Sequence, residues 1–140
     1  MTSVLLVDDE RDLLSLLDFN LRAAGFETLL ATSGDQALSQ LRRRVPDLVL
    51  LDVMLPDVGG HEVGRRIASD RATRDLPVVF ISARTHVDDL RAGYEAGAVD
   101  YITKPFDPTA LPARVRATLG RVERGESERF RLARLAELRR

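Results

Sequence analysis

Asp8, Asp9, Asp52, Ser82 and Lys104 are the residues of this chain whose types could do chemistry together. They are three carboxylates, a hydroxyl and an ammonium. Two carboxylates about 4 Å apart repel by about 4 kcal/mol at an effective dielectric of about 20, and three ionised together need a cation. Oxygen-only ligands favour a hard ion. A site with few protein ligands that keeps several waters suits Mg2+ better than Ca2+. Lys104 is a point charge suited to a phosphoryl oxygen, Ser82 offers a hydroxyl donor, and aspartate forms aspartyl phosphates. The set describes a phosphate acceptor, provided the fold gathers residues that lie between positions 8 and 104.

The elements that must gather them are written in the apolar pattern. Val4–Val7, Thr28–Ala31, Leu48–Leu51, Val78–Ile81 and Val99–Ile102 are short runs with little polar alternation, as expected for strands buried on both faces. Helix-period segments lie between them. The first carries Leu13, Leu14, Leu17 and Leu21 and stops near Gly25. The second starts at Ser33-Gly34, carries Ala37, Leu38, Leu41 and Val45, and ends before Pro46. The third follows Gly59-Gly60 with Val63 and Ile67. The fourth follows Thr85 with Val87, Leu90 and Tyr94, and stops at Gly97. The fifth begins at Asp107-Pro108, where aspartate caps and proline suits the first turn.

This alternation predicts an α/β fold, (βα)5, with a doubly wound five-stranded parallel sheet, helices on both faces and right-handed crossovers. Four of the five strands end in a chemical group: Asp8-Asp9, Asp52, Ser82 and Lys104. All carboxyl ends of a parallel sheet lie on one edge, where such sheets bind ligands, so these groups should converge. Taken singly, each has a plain alternative as a cap or turn residue. Glu10 is read only as the start of the first helix, and His61 and His86 are given no role.

Bulk properties narrow the classes. The chain has 140 residues, 44% apolar and 31% charged, with net charge −1, which suits one soluble globular domain. With no cysteine, it has no disulfide, thiolate nucleophile or cysteine zinc site. No secretion signal is visible and no apolar run approaches the ~20 residues that cross a bilayer, so a cytoplasmic location away from membrane is expected. Residues 111–140 hold nine arginines and four glutamates, leaving the remainder acidic. The interleaving reads as a solvated helix rather than a nucleic-acid surface, so no direct nucleic acid binding by this chain is expected.

With these residues placed, the chain resembles the receiver domain of bacterial two-component response regulators over about residues 1–122. The resemblance rests on "VLLVDDE", "PDLVLLDVMLPDVGG", "PVVFISA" and "GAVDYITKPF", in that order and spacing. It implies the flavodoxin-like strand order 2-1-3-4-5. It implies that Asp52 is the phosphoacceptor, charged by a partner histidine kinase. Asp9 would bind Mg2+ directly and Asp8 largely through water, with Asp52 and the backbone carbonyl of Met54 completing the protein ligands. Lys104 would contact the phosphoryl group and Ser82 would hydrogen-bond it after transfer, while Tyr101 swings inward as Ser82 moves. Met54 and Arg84 occupy positions that tune phosphoryl lifetime. Such a protein is a signalling switch, not an enzyme acting on other substrates, although it catalyses its own phosphorylation and dephosphorylation.

Two other classes fit the residues less well. An aspartate-nucleophile phosphatase would need a second acid two residues after Asp52, where Met54 stands. A receiver-like scaffold that binds without phosphorylation would be expected to lack one of the acidic, aspartate or lysine positions, and all are present. Residues 123–140 form a charged helical tail, with Leu132, Leu135 and Ala136 on one side of "ERFRLARLAELRR". It reads as a dimerisation arm or a signalling-helix linker to an output domain missing from this chain; packing of an extended fifth helix is the plain alternative. A homodimer could also form through the face of the fourth helix, fifth strand and fifth helix. Asp100 and Arg114 fit the paired charges of that face in the winged-helix branch of the family, whereas Leu90, Val99 and Ala110 do not.

Overall fold

The computed structural model describes residues 1–84 and 86–138. Thr85, the expected lead-in to the fourth helix, and the last two tail residues lie outside the described residues. Five strands, β1 (Ser3–Val7), β2 (Glu27–Ala31), β3 (Leu48–Asp52), β4 (Val78–Ser82) and β5 (Asp100–Thr103), pair in parallel in the order β2-β1-β3-β4-β5. Six α-helices accompany them: α1 (Arg11–Ala23), α2 (Gly34–Arg43), α3 (Gly60–Ser69), α4 (Val87–Glu95), α5 (Leu111–Glu123) and α6 (Ser127–Leu138). The expected α/β fold and strand order are both present.

The strands are apolar along their length because both sheet faces are covered. Val4, Leu6, Leu48, Leu50, Val79, Ile81 and Ile102 point to one face and pack with Leu14, Leu17, Leu21, Leu111 and Val115 of α1 and α5. Leu5, Val7, Val49, Leu51, Phe80 and Tyr101 point to the other and pack with Ala37, Leu41, Val63, Ile67, Tyr94 and Leu135 of α2, α3, α4 and α6. The step from apolar to polar residues at the carboxyl ends of the strands is therefore also the boundary between this double core and solvent.

Several boundaries move from their expected places. α2 ends at Arg43, so Val45 lies beyond it and is exposed. Ser33 caps that helix, its side chain accepting from Gln36 N, and Asp57 reaches back from the β3–α3 loop to accept from Gly34 N and Asp35 N at 2.8 and 2.9 Å. Those amide bonds hold the exposed Asp57 carboxyl down to about 2. The loop that follows Asp52 is thus tied to α2. Asp107 caps a single 3-10 turn, Pro108–Ala110, before α5 begins. The tail is not an extended fifth helix: the chain turns at Gly125, and α6 lies back on α4.

α3 must start close against the end of β3, because Gly60 N donates to Val53 O at 2.9 Å. A Cβ at Gly60 would stand 2.2 Å from Asp52 O and 2.7 Å from Val53 Cα. Both neighbours are backbone, so neither can rotate away. Gly60→Ala is expected to destabilise the fold by about 2 kcal/mol or more, as overpacking does, measured by urea unfolding.

Candidate functional site

Strand register delivers the site. Val7 pairs with Leu51, so Asp8 and Asp52 leave β1 and β3 side by side. Ser82 pairs with Thr103, and Lys104 follows, its N–H donating to Ser82 O at 2.8 Å. The Lys104–Pro105 peptide is cis.

Lys104 Nζ lies 3.0 Å from Asp8 Oδ2, 3.2 Å from Asp52 Oδ2 and 3.2 Å from Glu10 Oε1. Asp8, Asp9 and Asp52 each offer an oxygen within 4.8 Å of the others, Asp8 and Asp52 buried and Asp9 exposed. Asp52 Oδ1 accepts from Met54 N at 2.9 Å, and Asp8 Oδ1 accepts from Glu10 N at 2.9 Å. Asp8 Oδ2 is buried and faces the Lys104 ammonium at 3.0 Å, with no other donor aimed at it. Three clustered carboxylate oxygens are the oxygen-only donor set of a hard divalent cation, and these residues fit Mg2+.

Burial pushes the Asp52 carboxyl up to about 6, and the Asp8 charge adds to that rise; the Met54 N–H and Lys104 pull it back. Burial alone would favour loss of the Lys104 proton. Hydrogen bonding and charge from Asp8, Asp52 and Glu10 outweigh it and hold the lysine above its ordinary range.

Around this cluster, Ser82 Oγ is buried and accepts from Arg84 N at 3.0 Å. An accepting hydroxyl keeps its own proton free to donate elsewhere. Tyr101 is already inward, 3% exposed, with its hydroxyl donating to Arg84 O at 3.3 Å. Its ring lies 6.2 Å from that of Phe80 and 6.5 Å from that of Tyr94. Arg84 Nε stands 3.1 Å from the exposed Met54 thioether, so the side chains that follow Ser82 and Asp52 by two residues meet.

The residues singled out in sequence therefore fall at one sheet edge, with Asp8, Asp9, Asp52 and Lys104 in one cluster. Glu10 starts α1 as expected and also does more. It sits at the α1 N-cap position but makes no side-chain cap there, and reaches Lys104 instead. Glutamate is a poor capping residue, a signal that was available. The histidines also differ from expectation. His86 caps α4, its Nδ1 accepting from Asp88 N at 3.1 Å. His61 sits in α3, half-buried, edge-on to Phe80 with ring centroids 5.0 Å apart, and burial lowers its pKa.

Residues 4–116 match the family model described as the response regulator receiver domain. The chain belongs to this family. Phosphorylation and conformational switching are general properties of its members. This receiver is 43% identical over 126 residues to the phosphate regulon transcriptional regulatory protein PhoB of Pseudomonas aeruginosa, covering 90% of this chain and 55% of PhoB. It is 44% identical over 130 residues to the DNA-binding response regulator MtrA of Mycobacterium tuberculosis, covering 93% of this chain and 56% of MtrA. The crystal structure of DrrB, a Thermotoga maritima OmpR/PhoB homologue, superposes with a TM-score of 0.77 at 34% identity, over 86% of this chain and 54% of DrrB. The receiver thus spans about half the length of the curated relatives it matches. Among the described residues, no helix is long and apolar enough to cross a membrane.

The raised Asp52 pKa has a definite consequence for stability without divalent ions. The folded state penalises the charged carboxylate, a penalty absent below the unfolded-state pKa of about 4 and growing as pH rises through about 6. Asp52→Asn removes that charge. In EDTA it is expected to raise stability by about 2–3 kcal/mol at about pH 8 and by nearly nothing at about pH 3, checked by urea unfolding at both pH values.

Proposed function

We propose that this receiver accepts a phosphoryl group on Asp52 from the phosphohistidine of a partner histidine kinase, in a Mg2+-dependent reaction, and switches conformation in response. The observation that carries this reading is the Lys104 ammonium in contact with both Asp8 and Asp52, with an Asp9 oxygen close by. A lone acidic cluster would suit many cation sites. An added lysine, aimed at the same aspartate whose pKa burial raises, suits a group that arrives carrying negative charge.

In transfer, a carboxylate oxygen of Asp52 bonds to phosphorus as the donor's phosphorus–nitrogen bond breaks, and the imidazole leaves with the bonding pair. The protein's part is positioning and charge balance. Asp8, Asp9, Asp52 and the Met54 carbonyl would hold Mg2+, which when bound supplies positive charge to neutralise the carboxylates and the phosphoryl oxygens. Asp52 must be ionised to attack, and neutralising its neighbours favours that form. Lys104 balances the charge of the transferred group, and the Ser82 hydroxyl is free to donate to it. Hydrolysis of the aspartyl phosphate needs water to reach phosphorus, and Arg84 and Met54, two residues beyond Ser82 and Asp52, would tune that access.

Switching would run through Ser82, Arg84 and Tyr101. If Ser82 is drawn toward a phosphoryl group, Arg84 N and Arg84 O move with it, and the Tyr101 hydroxyl is bound to that carbonyl. Gly93 provides the space, since a Cβ there would lie 2.8 Å from the Tyr101 ring. The changed surface would be read by a partner or by an output domain. The names of two relatives, a transcriptional regulatory protein (PhoB) and a DNA-binding response regulator (MtrA), favour control of transcription, in the cytoplasm, with residues 1–122 as the phosphoacceptor domain and 123–140 as its tail.

With radiolabelled acetyl phosphate and Mg2+, wild type is expected to incorporate label and Asp52→Asn none; undiminished labelling of that variant sinks the assignment. Gly93→Ala is expected to push the Tyr101 ring outward. The chain has two tyrosines and no tryptophan, so acrylamide quenching of its intrinsic fluorescence should rise.

A further inference from the structure

We propose that α6 is an exchangeable arm whose seat on α4 accepts the α6 of a second copy of this chain, with Gly125 as the hinge. The seat is built from specific groups. α6 runs antiparallel over α4: Arg131 of α6 donates to Tyr94 O at 3.1 Å, and Arg91 of α4 donates to Leu138 O at 3.0 Å. Each helix thus has carbonyls of its C-terminal end satisfied by an arginine of the other, where cations are favoured. Leu135 is 6% exposed and joins the core cluster that contains Tyr94, Ala98 and Tyr101. From α5, the Arg121 guanidinium lies 3.9 Å above the Phe130 ring.

What keeps this helix on its own body is a short turn. α5 ends with Gly125 N donating to Val122 O at 3.1 Å and Glu126 N to Arg121 O at 2.8 Å, and Gly125 takes φ +69°. This is a glycine-terminated helix end in which the left-handed residue reverses the chain. Nothing lies within 4 Å of a Cβ built at Gly125, so a side chain there meets no steric obstacle. The preference is purely one of backbone. Glycine accepts the left-handed conformation; alanine resists it and is the best helix former.

If residues 111–138 run on as one helix, α6 points away from its own α4. Leu135, Arg131 and Phe130 then lose their partners, and the seat on α4 is bare. A second copy in the same state presents the matching arm and seat, and the two exchange reciprocally about a twofold axis. The contacts are the same within one chain as between two. The balance therefore depends on the hinge and on protein concentration, and the α4–β5 face stays covered by an α6 either way.

The test is the oligomeric state of the full chain, by size-exclusion chromatography with light scattering across a range of concentrations. Gly125→Ala is expected to dimerise with a dissociation constant about tenfold or more below that of wild type. Gly125→Asn, which tolerates left-handed backbone, is expected to behave as wild type. Adding Leu135→Asp to Gly125→Ala should return an elongated monomer. Should that aspartate lower the helix content seen by circular dichroism, Gly125→Ala combined with Arg91→Ala and Arg131→Ala gives the same readout. A Gly125→Ala protein that stays monomeric, or a dimer that survives loss of the α4–α6 contacts, overturns the proposal.

Discussion

One ammonium facing three carboxylates organises this end of the molecule. Lys104 Nζ stands within 3.2 Å of Asp8, Glu10 and Asp52, and Asp9 adds a fourth carboxylate nearby. At these distances each opposite pair gains a few kcal/mol and each like pair loses a similar amount, at an effective dielectric of about 20. A single lysine cannot balance the set. Burial, with the Asp8 charge added to it, lifts the Asp52 carboxyl to about 6, and the buried Asp8 Oδ2 has nothing but that same shared ammonium to face. The same imbalance makes the cluster attractive to a small hard cation. The parallel sheet is what permits it: β1, β3 and β5 end at one edge, so their charges meet without any one strand carrying them all.

The double core explains why that edge is rigid enough to hold such repulsion. Asp8 and Asp52 directly continue strands whose side chains are buried on both faces. Retreat of either carboxylate would pull apolar residues from α1 and α5 on one side or from α2 and α3 on the other. Gly60 and Asp57 add local restraint. The first lets α3 press against the end of β3, and the second ties the following loop to α2.

How much of this the sequence discloses depends on which interaction decides each feature. Strand identity is legible because burial on both faces leaves an unbroken apolar run, and the site is legible because Asp8, Asp52, Ser82 and Lys104 each terminate such a run. What stays hidden depends on distances between segments remote in sequence. Glu10 looks like a helix start from its neighbours alone, and only the return of β5 beside β1 brings Lys104 to it. The cap made by Asp57 joins residues 22 and 23 positions apart. The tail is the clearest case. Its apolar stripe is short and its arginines read as solvated, yet two of the links that seat α6, Arg91 to Leu138 O and Arg131 to Tyr94 O, span 47 and 37 positions. Periodicity reports which face of a helix is apolar and says nothing of what will cover it.

That covering matters because the helix beneath α6 also packs against Tyr101. Tyr101 lies between Arg84 on the site's side and Tyr94 on the α4 side. Asp100, the residue before it, is buried with Arg114 Nε at 3.1 Å and the Tyr94 hydroxyl at 3.4 Å, so the charge pair expected for an intermolecular face is satisfied within the chain. α6 then rests on Tyr94 through Arg131 and on the same apolar cluster through Leu135. Any displacement of Tyr101 therefore alters the surface on which α6 sits, and any displacement of α6 removes packing behind Tyr101. A contact that has different free energies in the two positions of Tyr101 must, by linkage, bias that position in return. The site and the tail are thus joined by one buried aromatic cluster, and each acts on the other only as far as Tyr94 and Tyr101 have more than one arrangement.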